Sequence, residues 1–188
     1  MISVRRAGPA DAGAIGAVHV AVWRSTYPGI LPDDFLANLS VQRQIVYYRE
    51  AIVRGGIATF VAVASGTDVP RGHPPRIVGF ATARRSRIPG MANLADGEIE
   101  TLYVLDDFRE RGLGRSLMRA CAGSLIQLGC HSAFLWVLRD NPSRWFYRRL
   151  GGRPIAESTI RVGGRLVAQT AYRWDPIEML MQASPQAS

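Results

Sequence analysis

Lysine is absent from all 188 residues, so each of the 23 basic positions is an arginine. That absence excludes chemistry needing a side-chain amine: a P-loop has no lysine here and a Schiff-base enzyme no nucleophile. Cysteine is almost as scarce. Cys121 and Cys130 show neither a C-x-x-C spacing nor a matched pair of histidines, and read as reduced packing residues. His19, His73 and His131 are scattered over different segments, so no metal is expected. No apolar run reaches 18 residues, and Met1 to Arg6 lacks the apolar core of a signal peptide. A cytoplasmic protein with no membrane partner is expected.

What is present is a 47% hydrophobic chain of a length that suits one core-forming domain. We expect that domain over residues 1–175, with a C-terminal tail over 176–188. The formal charge is +8, all of its cations guanidinium forks whose geometry matches phosphate oxygens. Selection for anion binding and genomic composition explain an all-arginine set equally well.

Hydrophobic period orders the elements. Ile2 to Arg6 reads as a strand, and Pro9-Ala10-Asp11 opens a helix carrying Ile15, Val18 and Val22 at helical spacing, ending near Tyr27-Pro28-Gly29. A short helix follows from Pro32. A longer one, capped by Ser40, runs through Ile45, Tyr48 and Ile52 to Gly55-Gly56. Ile57 to Ala64 and Arg76 to Arg84 read as strands around a loop from Ser65 to Pro75, and a second loop, Ser86 to Asp96, precedes the strand Ile99 to Val104. Leu117, Cys121, Leu125 and Leu128 step along one face of the next helix. Ala133 to Leu138 has no polar residue, the pattern of a strand buried on both faces. Asn141 caps a short helix with Pro142 at its first position and Gly151-Gly152 at its end. Ile155 to Val162 and Arg165 to Trp174 form a hairpin around Gly163-Gly164, and a short apolar turn and frayed tail follow Pro176. The order is β-α-α-β-β-β-α-β-α-β-β, an α/β chain with one mixed sheet covered by helices.

Between the strand ending at Val104 and the helix opening near Leu113 lies Arg109-Glu110-Arg111-Gly112-Leu113-Gly114. A glycine-rich turn at a helix N-terminus bares backbone N–H groups to an anion, and the helix dipole adds about half a positive charge. Arg109, Arg111 and Arg115 add whole ones. Phosphate is the natural guest.

This turn resembles the Arg/Gln-x-x-Gly-x-Gly/Ala signature of the GNAT superfamily of acetyl-coenzyme A dependent N-acetyltransferases. The entry Glu98-Ile99-Glu100-Thr101-Leu102-Tyr103-Val104, and Asn141 followed by Trp145-Phe146-Tyr147-Arg148-Arg149-Leu150-Gly151, are similar to the same family. The element order matches from Ile2 to Trp174, nearly the whole chain. The resemblance implies a GNAT-like, mostly antiparallel central sheet and acetyl-coenzyme A as co-substrate, with no metal.

It also implies roles. The backbone of Arg109, Glu110, Arg111, Gly112, Leu113, Gly114 and Arg115 would hold the pyrophosphate, with Gly112 and Gly114 allowing close approach. The edge at Leu102, Tyr103 and Val104 would bond the pantetheine amides like an added strand, and Asn141 and Phe146 would contact the arm. Tyr147 matches the family's acid toward the leaving thiolate. Glu98 and Glu100, two apart on one strand, are both candidates for the base that takes a proton from the amine. The acceptor would enter between Tyr27 to Leu31 and the strand junction near Glu98, with Trp23 and Tyr27 as lining residues. The expected function is acetyl transfer to an amine of a small molecule, a peptide N-terminus or a protein lysine.

Two other readings use the same residues. A coenzyme A-binding module that transfers nothing would keep Arg109 to Gly114 yet tolerate loss of Tyr147, so Tyr147 and two candidate bases favour catalysis. Nucleic-acid binding is suggested by Arg144, Arg148, Arg149 and Arg153, but no nucleic-acid motif accompanies them. The C-terminal hairpin and Ile177, Leu180 and Met181 would either pair two subunits as a homodimer or fold back on one chain.

Overall fold

The computed structural model describes residues 1–86 and 94–182. Its strands are β1 (Ile2–Arg6), β2 (Ala58–Ala64), β3 (Arg76–Arg85), β4 (Gly97–Val104), β5 (Ala133–Leu138), β6 (Arg153–Val162) and β7 (Arg165–Trp174). Its helices are α1 (Ala12–Thr26), α2 (Asp33–Ala37), α3 (Val41–Arg54), α4 (Leu113–Gln127), α5 (Arg144–Arg149) and α6 (Met179–Gln182). The strands form one sheet in the order β1-β2-β3-β4-β5-β7-β6. Every neighbouring pair is antiparallel except β4 and β5. The mixed sheet flanked by helices is thus the one that the sequence pattern predicts. Among the described residues no helix is long and apolar enough to cross a membrane.

Each face of the sheet takes its own helices. On one, Ala12, Ile15, Val18 and Val22 of α1 and Tyr48 of α3 close over Val61 and Phe80. On the other, Leu117, Met118, Cys121, Ala122 and Leu125 of α4 pack on Ala81, Ala83, Ile99 and Leu135. Burial of each of these larger side chains contributes about 1.5–3 kcal/mol. Cys121 and Cys130 are buried free thiols within that second cluster.

Several expectations need correction. Leu128 does not continue the α4 stripe: the helix ends at Gln127, the chain turns through Leu128 and Gly129, and the Leu128 side chain is exposed. The segment after Pro176 is not frayed as far as Gln182. Ile177 and Leu180 are fully buried in the core beside α4, because a one-turn helix folds them back on their own chain. A 3-10 turn, Pro9–Asp11, precedes α1, with the Asp11 carboxylate accepting from Gly8 N–H and from Arg5. Residues 87–93 of the second expected loop and 183–188 of the tail lie outside the described residues.

The join between β4 and β5 positions the site. Only Gly97 opposite Ala133 and Glu98 opposite Phe134 are paired, after which the two strands part. Asp96 pins this apex: its carboxylate accepts from His131 N–H at 2.8 Å and Ser132 N–H at 3.2 Å, while its own N–H donates to Ser132 Oγ at 3.1 Å. Those backbone donors hold its acidity below the usual carboxylate range. Just past the apex β4 carries a bulge. Thr82 faces Thr101 but Ala83 faces Ile99, so Glu100 is an extra residue. A bulge bends its strand and resets its faces. Ile99 and Leu102, three apart, consequently reach the same core, while Tyr103 joins the opposite one.

His19 sits inside the α1 side of the core, its Nδ1 2.9 Å from the Tyr48 hydroxyl and its ring within 5.1 Å of Tyr103. Burial pushes its pKa down to about 4. The folded protein therefore keeps this imidazole neutral where the unfolded chain protonates it, so the associated stability is complete above pH ~6.5 and is lost as pH falls toward 4. In thermal unfolding followed from pH 7 to pH ~4.5, His19→Phe is expected to flatten that part of the acid decline. An identical decline in the variant would contradict a buried neutral imidazole.

Candidate active site

Beyond the apex, β4 from Ile99 to Val104 and β5 from Leu135 to Leu138 face each other across a slot with no ladder between them. Each strand is laddered on its far side only, β4 to β3 and β5 to β7. Their facing peptide groups are open to an extended ligand that supplies its own amides. The expected edge, Leu102 to Val104, lies on this slot.

At the slot's mouth the chain turns through Arg109 to Gly114 into α4. Gly112 is the N-cap, at φ +76° and ψ 0°, a left-handed conformation that favours glycine. A glycine has no capping side chain, and the first turn, Leu113-Gly114-Arg115, holds no carboxylate. The Leu113 and Gly114 amides thus keep their capacity for an outside acceptor, and the helix ladder at this end opens with Ser116 N–H donating to the Gly112 carbonyl at 3.0 Å. Glu110 is the one non-glycine residue with positive φ, +61°, among the described residues. Such strain persists where surrounding structure holds it, often at a ligand site. Gly114 serves a different need from Gly112: a Cβ there would lie 3.0 Å from Phe146 Cζ, so the missing side chain lets α5 seat its ring on α4.

The arginines are less free than the sequence suggests. Arg109 Nη2 pairs with Asp106 at 2.8 Å and donates to Thr26 Oγ1 at 2.9 Å, while its Nε reaches the Val104 carbonyl at 3.4 Å. Arg111 lies 3.3 Å from the Asp68 carboxylate and over the Phe108 ring. On α5, Arg144 and Arg148 stack on the exposed Trp145 at 4.9 and 5.1 Å.

The far wall is the turn after β5. Asn141 is buried; its Oδ1 accepts from Ser143 N–H at 2.9 Å, closing a turn ahead of α5, which starts at Arg144 with Ser143 as its N-cap rather than at Pro142 with the expected Asn141. Its Nδ2 donates to the Tyr27 hydroxyl at 3.3 Å. Tyr147 is buried against Phe146, Tyr172 and Trp174. Burial raises its hydroxyl above the ordinary range, and the nearby Tyr27 hydroxyl adds to this. Tyr103 is raised by burial as well, with Tyr27 and Tyr147 among its neighbours. Three phenols, from the end of α1, from β4 and from α5, therefore lie near one another.

Tyr27 and Trp23, the expected acceptor-lining residues, both pack into the aromatic cluster at the end of α1. Tyr27 is only 8% exposed and spends its hydroxyl on Asn141. Trp23 packs between His19, Tyr27 and Phe35, with its indole N–H buried.

The two candidate carboxylates differ because of one arginine. Glu100 is ion-paired to Arg84 at 2.7 Å. Glu98, opposite Arg84 in the ladder, is raised in pKa by burial and then by the Glu100 charge, against a smaller lowering by Arg84. Glu98 thus carries a carboxylate raised above its ordinary range, while Glu100 is held in an ion pair.

On the α1 side the slot is walled by apolar residues. Tyr27, Leu31 and Leu36 pack with Val167, joined by Trp23, Ile30, Phe35, Leu138 and Val162. The β6–β7 turn is pressed onto this wall: a Cβ at Gly163 would lie 2.5 Å from Phe35 Cγ. Sequence reasoning missed Thr26, Arg84 and Phe35 here. Each matters through a partner distant in the chain, and no local spacing signals such a partner.

Comparison with known proteins follows the same residues. A family model described as FR47-like protein matches residues 78–162, which span β3 to β6 and include the slot and its mouth. The chain is similar to YuaI of Bacillus subtilis, an uncharacterised N-acetyltransferase, with 30% identity over 182 residues and 96% of each chain covered. Among solved structures, a GCN5-related N-acetyltransferase from Rhodopseudomonas palustris shares the fold at a TM-score of 0.66 and 21% identity, covering 92% of this chain and 94% of that one. YncA of Salmonella typhimurium, a putative acetyltransferase solved with acetyl-CoA, aligns at a TM-score of 0.64 and 20% identity over 100% of this chain and 99% of its own.

The backbone of the mouth is testable without a ligand. Gly112→Ala forces a Cβ into the left-handed region and is expected to lower unfolding stability by about 1 kcal/mol, whereas Glu110→Gly relieves strain and is expected to be neutral or stabilising. Urea unfolding of both variants measures this. Equal losses would contradict the turn geometry.

Proposed function

The chain belongs to the GNAT superfamily of N-acetyltransferases, and on that premise we propose that it acetylates a small, largely apolar primary amine by direct attack on acetyl-coenzyme A in a ternary complex. The observation that carries this is the slot: two unpaired strand edges leading to a helix N-terminus with no side-chain cap. Pantetheine would complete the β4 edge at Leu102, Tyr103 and Val104, and the pyrophosphate would take the amides of Arg109 to Gly114. Arg109 and Arg111 hold half-exposed ion pairs, and such pairs contribute only about 0–1 kcal/mol, so turning either guanidinium to a phosphate costs little. Arg115 adds charge in the first turn.

In the reaction the amine nitrogen attacks the thioester carbonyl, a C–N bond forms, and the C–S bond breaks with its electron pair on sulfur. Glu98, raised above its ordinary range by burial while Arg84 is paired with Glu100, takes a proton from the amine directly or through water. Tyr147 faces the sulfur side. Since burial raises its hydroxyl above its ordinary range, full transfer to a thiolate with an ordinary pKa of ~8.5 runs uphill. Its main service is therefore a hydrogen bond that stabilises the developing thiolate.

The acceptor class follows from the wall. Phe35 under the β6–β7 turn, with Leu31, Leu36, Val162 and Val167, closes the groove that an extended peptide would cross. A compact amine with an apolar body suits that wall, and its ammonium suits Glu98.

Thiol release from acetyl-coenzyme A, measured over a panel of small aliphatic and aromatic amines and peptide N-termini, tests the whole proposal. Turnover is expected with the small amines and not the peptides; the reverse would overturn the acceptor class. Tyr147→Phe is expected to lower kcat on the order of 100-fold. Wild-type activity should fall as pH drops through the raised Glu98 pKa, and Glu98→Gln should be slower and lose that limb. An unchanged limb in Glu98→Gln would remove it as base.

A further inference from the structure

Two consecutive residues at the end of α1 reach both walls of the slot. Thr26 Oγ1 accepts from Arg109 at 2.9 Å on the β4 side, and the Tyr27 hydroxyl accepts from Asn141 at 3.3 Å on the β5 side. Arg109 and Asn141 stand beyond the ends of the two strands that part. Thr26 and Tyr27 therefore span the open end of the slot, opposite the apex that Asp96 pins.

The same residues are built into the acceptor wall. Ile30 and Leu31 N–H both donate to the Tyr27 carbonyl at 3.0 Å. Arg24, one turn earlier on α1, donates to the carbonyls of Leu36, Ala37 and Leu39 at 3.1, 2.9 and 3.1 Å, fixing α2 to the end of α1. A displacement of Thr26 and Tyr27 is thus carried to Phe35 and Leu36 by hydrogen bonds rather than through a mobile linker.

We propose that Thr26 and Tyr27 are a clasp through which coenzyme binding positions the acceptor wall. This rests on the coenzyme site proposed above. Tyr27 is a positioning residue that acts through Asn141. The Asn141 amide has two N–H groups; one serves Tyr27, leaving the other for a carbonyl of the coenzyme arm, while Oδ1 is held by Ser143. Both Tyr27 and Asn141 are buried, so the bond between them is not exchanged for water when the arm arrives. Thr26 acts on the other wall through Arg109, whose guanidinium also touches the Val104 carbonyl on the edge that the arm would follow. Filling the slot loads both contacts together and stiffens the segment that meets the acceptor.

Amide hydrogen exchange over residues 27–39, with and without saturating coenzyme A, tests the clasp in wild type, Tyr27→Phe and Thr26→Val. Both substitutions keep the buried volume and remove only the bonding group. In wild type, coenzyme A is expected to slow exchange at Ile30 and Leu31 about tenfold or more. In Tyr27→Phe its Kd, measured by calorimetry, is expected to rise roughly two- to tenfold, and the slowing to be lost at full saturation. The Tyr27→Phe and Asn141→Ala effects on Kd should be non-additive, as they share one bond. Equal slowing in wild type and Tyr27→Phe, or none in wild type with coenzyme A bound, would overturn the clasp alone. Failure of wild type to bind coenzyme A would overturn the coenzyme site and the clasp with it.

Discussion

Two register positions, Gly97 opposite Ala133 and Glu98 opposite Phe134, hold the two halves of the sheet together. Asp96 reinforces the join with three hydrogen bonds to His131 and Ser132, and nothing in the ladder continues it. If β4 and β5 stayed paired to their ends, the slot would be filled by their own backbone bonds and no ligand amide would find a partner. Because they part, each leaves an edge of peptide groups whose pairing is deferred to whatever enters. The bulge at Glu100 lies just past the last paired residue and supplies the bend. The α4 N-terminus and the Asn141 turn then stand at the far ends of these strands, on opposite walls of one opening.

Much of this frame was legible in the chain. Strand and helix periods mark the elements in order, Asn141-Pro142 announces its own turn, and Arg109 to Gly114 is contiguous, so its chemistry shows without a fold. The bulge is a different matter. Glu98-Ile99-Glu100-Thr101-Leu102-Tyr103 breaks its alternation at Glu100-Thr101, but that an extra residue sits there is settled only when Ala83 and Thr82 across the ladder are counted against it. The burial of Ile177 and Leu180 was equally hidden, since a single apolar turn has no period to display. Tyr27 reads as a lining aromatic until Asn141, more than a hundred residues away, is seen to hold its hydroxyl.

Electrostatics divides similar residues into different roles. Glu98 and Glu100 differ little in sequence, yet Arg84 pairs with Glu100 and leaves burial to govern Glu98. The +8 charge suggests a general anion binder, but Arg5, Arg84, Arg109, Arg111 and Arg173 each have a carboxylate within ion-pair distance. What distinguishes the mouth of the slot is backbone: a glycine cap, a strained Glu110 and a first turn free of acid. Arginine charge then supplements amides that are already directed by the helix, and surface ion pairs around it remain cheap to rearrange.

A crystal structure of the protein with coenzyme A bound tests the slot itself. The pantetheine arm is expected between β4 and β5, hydrogen-bonded to the backbone of Leu102 to Val104, with the pyrophosphate on the amides of Arg109 to Gly114 and the thiol turned toward Tyr147. Coenzyme A seated elsewhere on the sheet, or strands β4 and β5 closed into a continuous ladder in the complex, would contradict it.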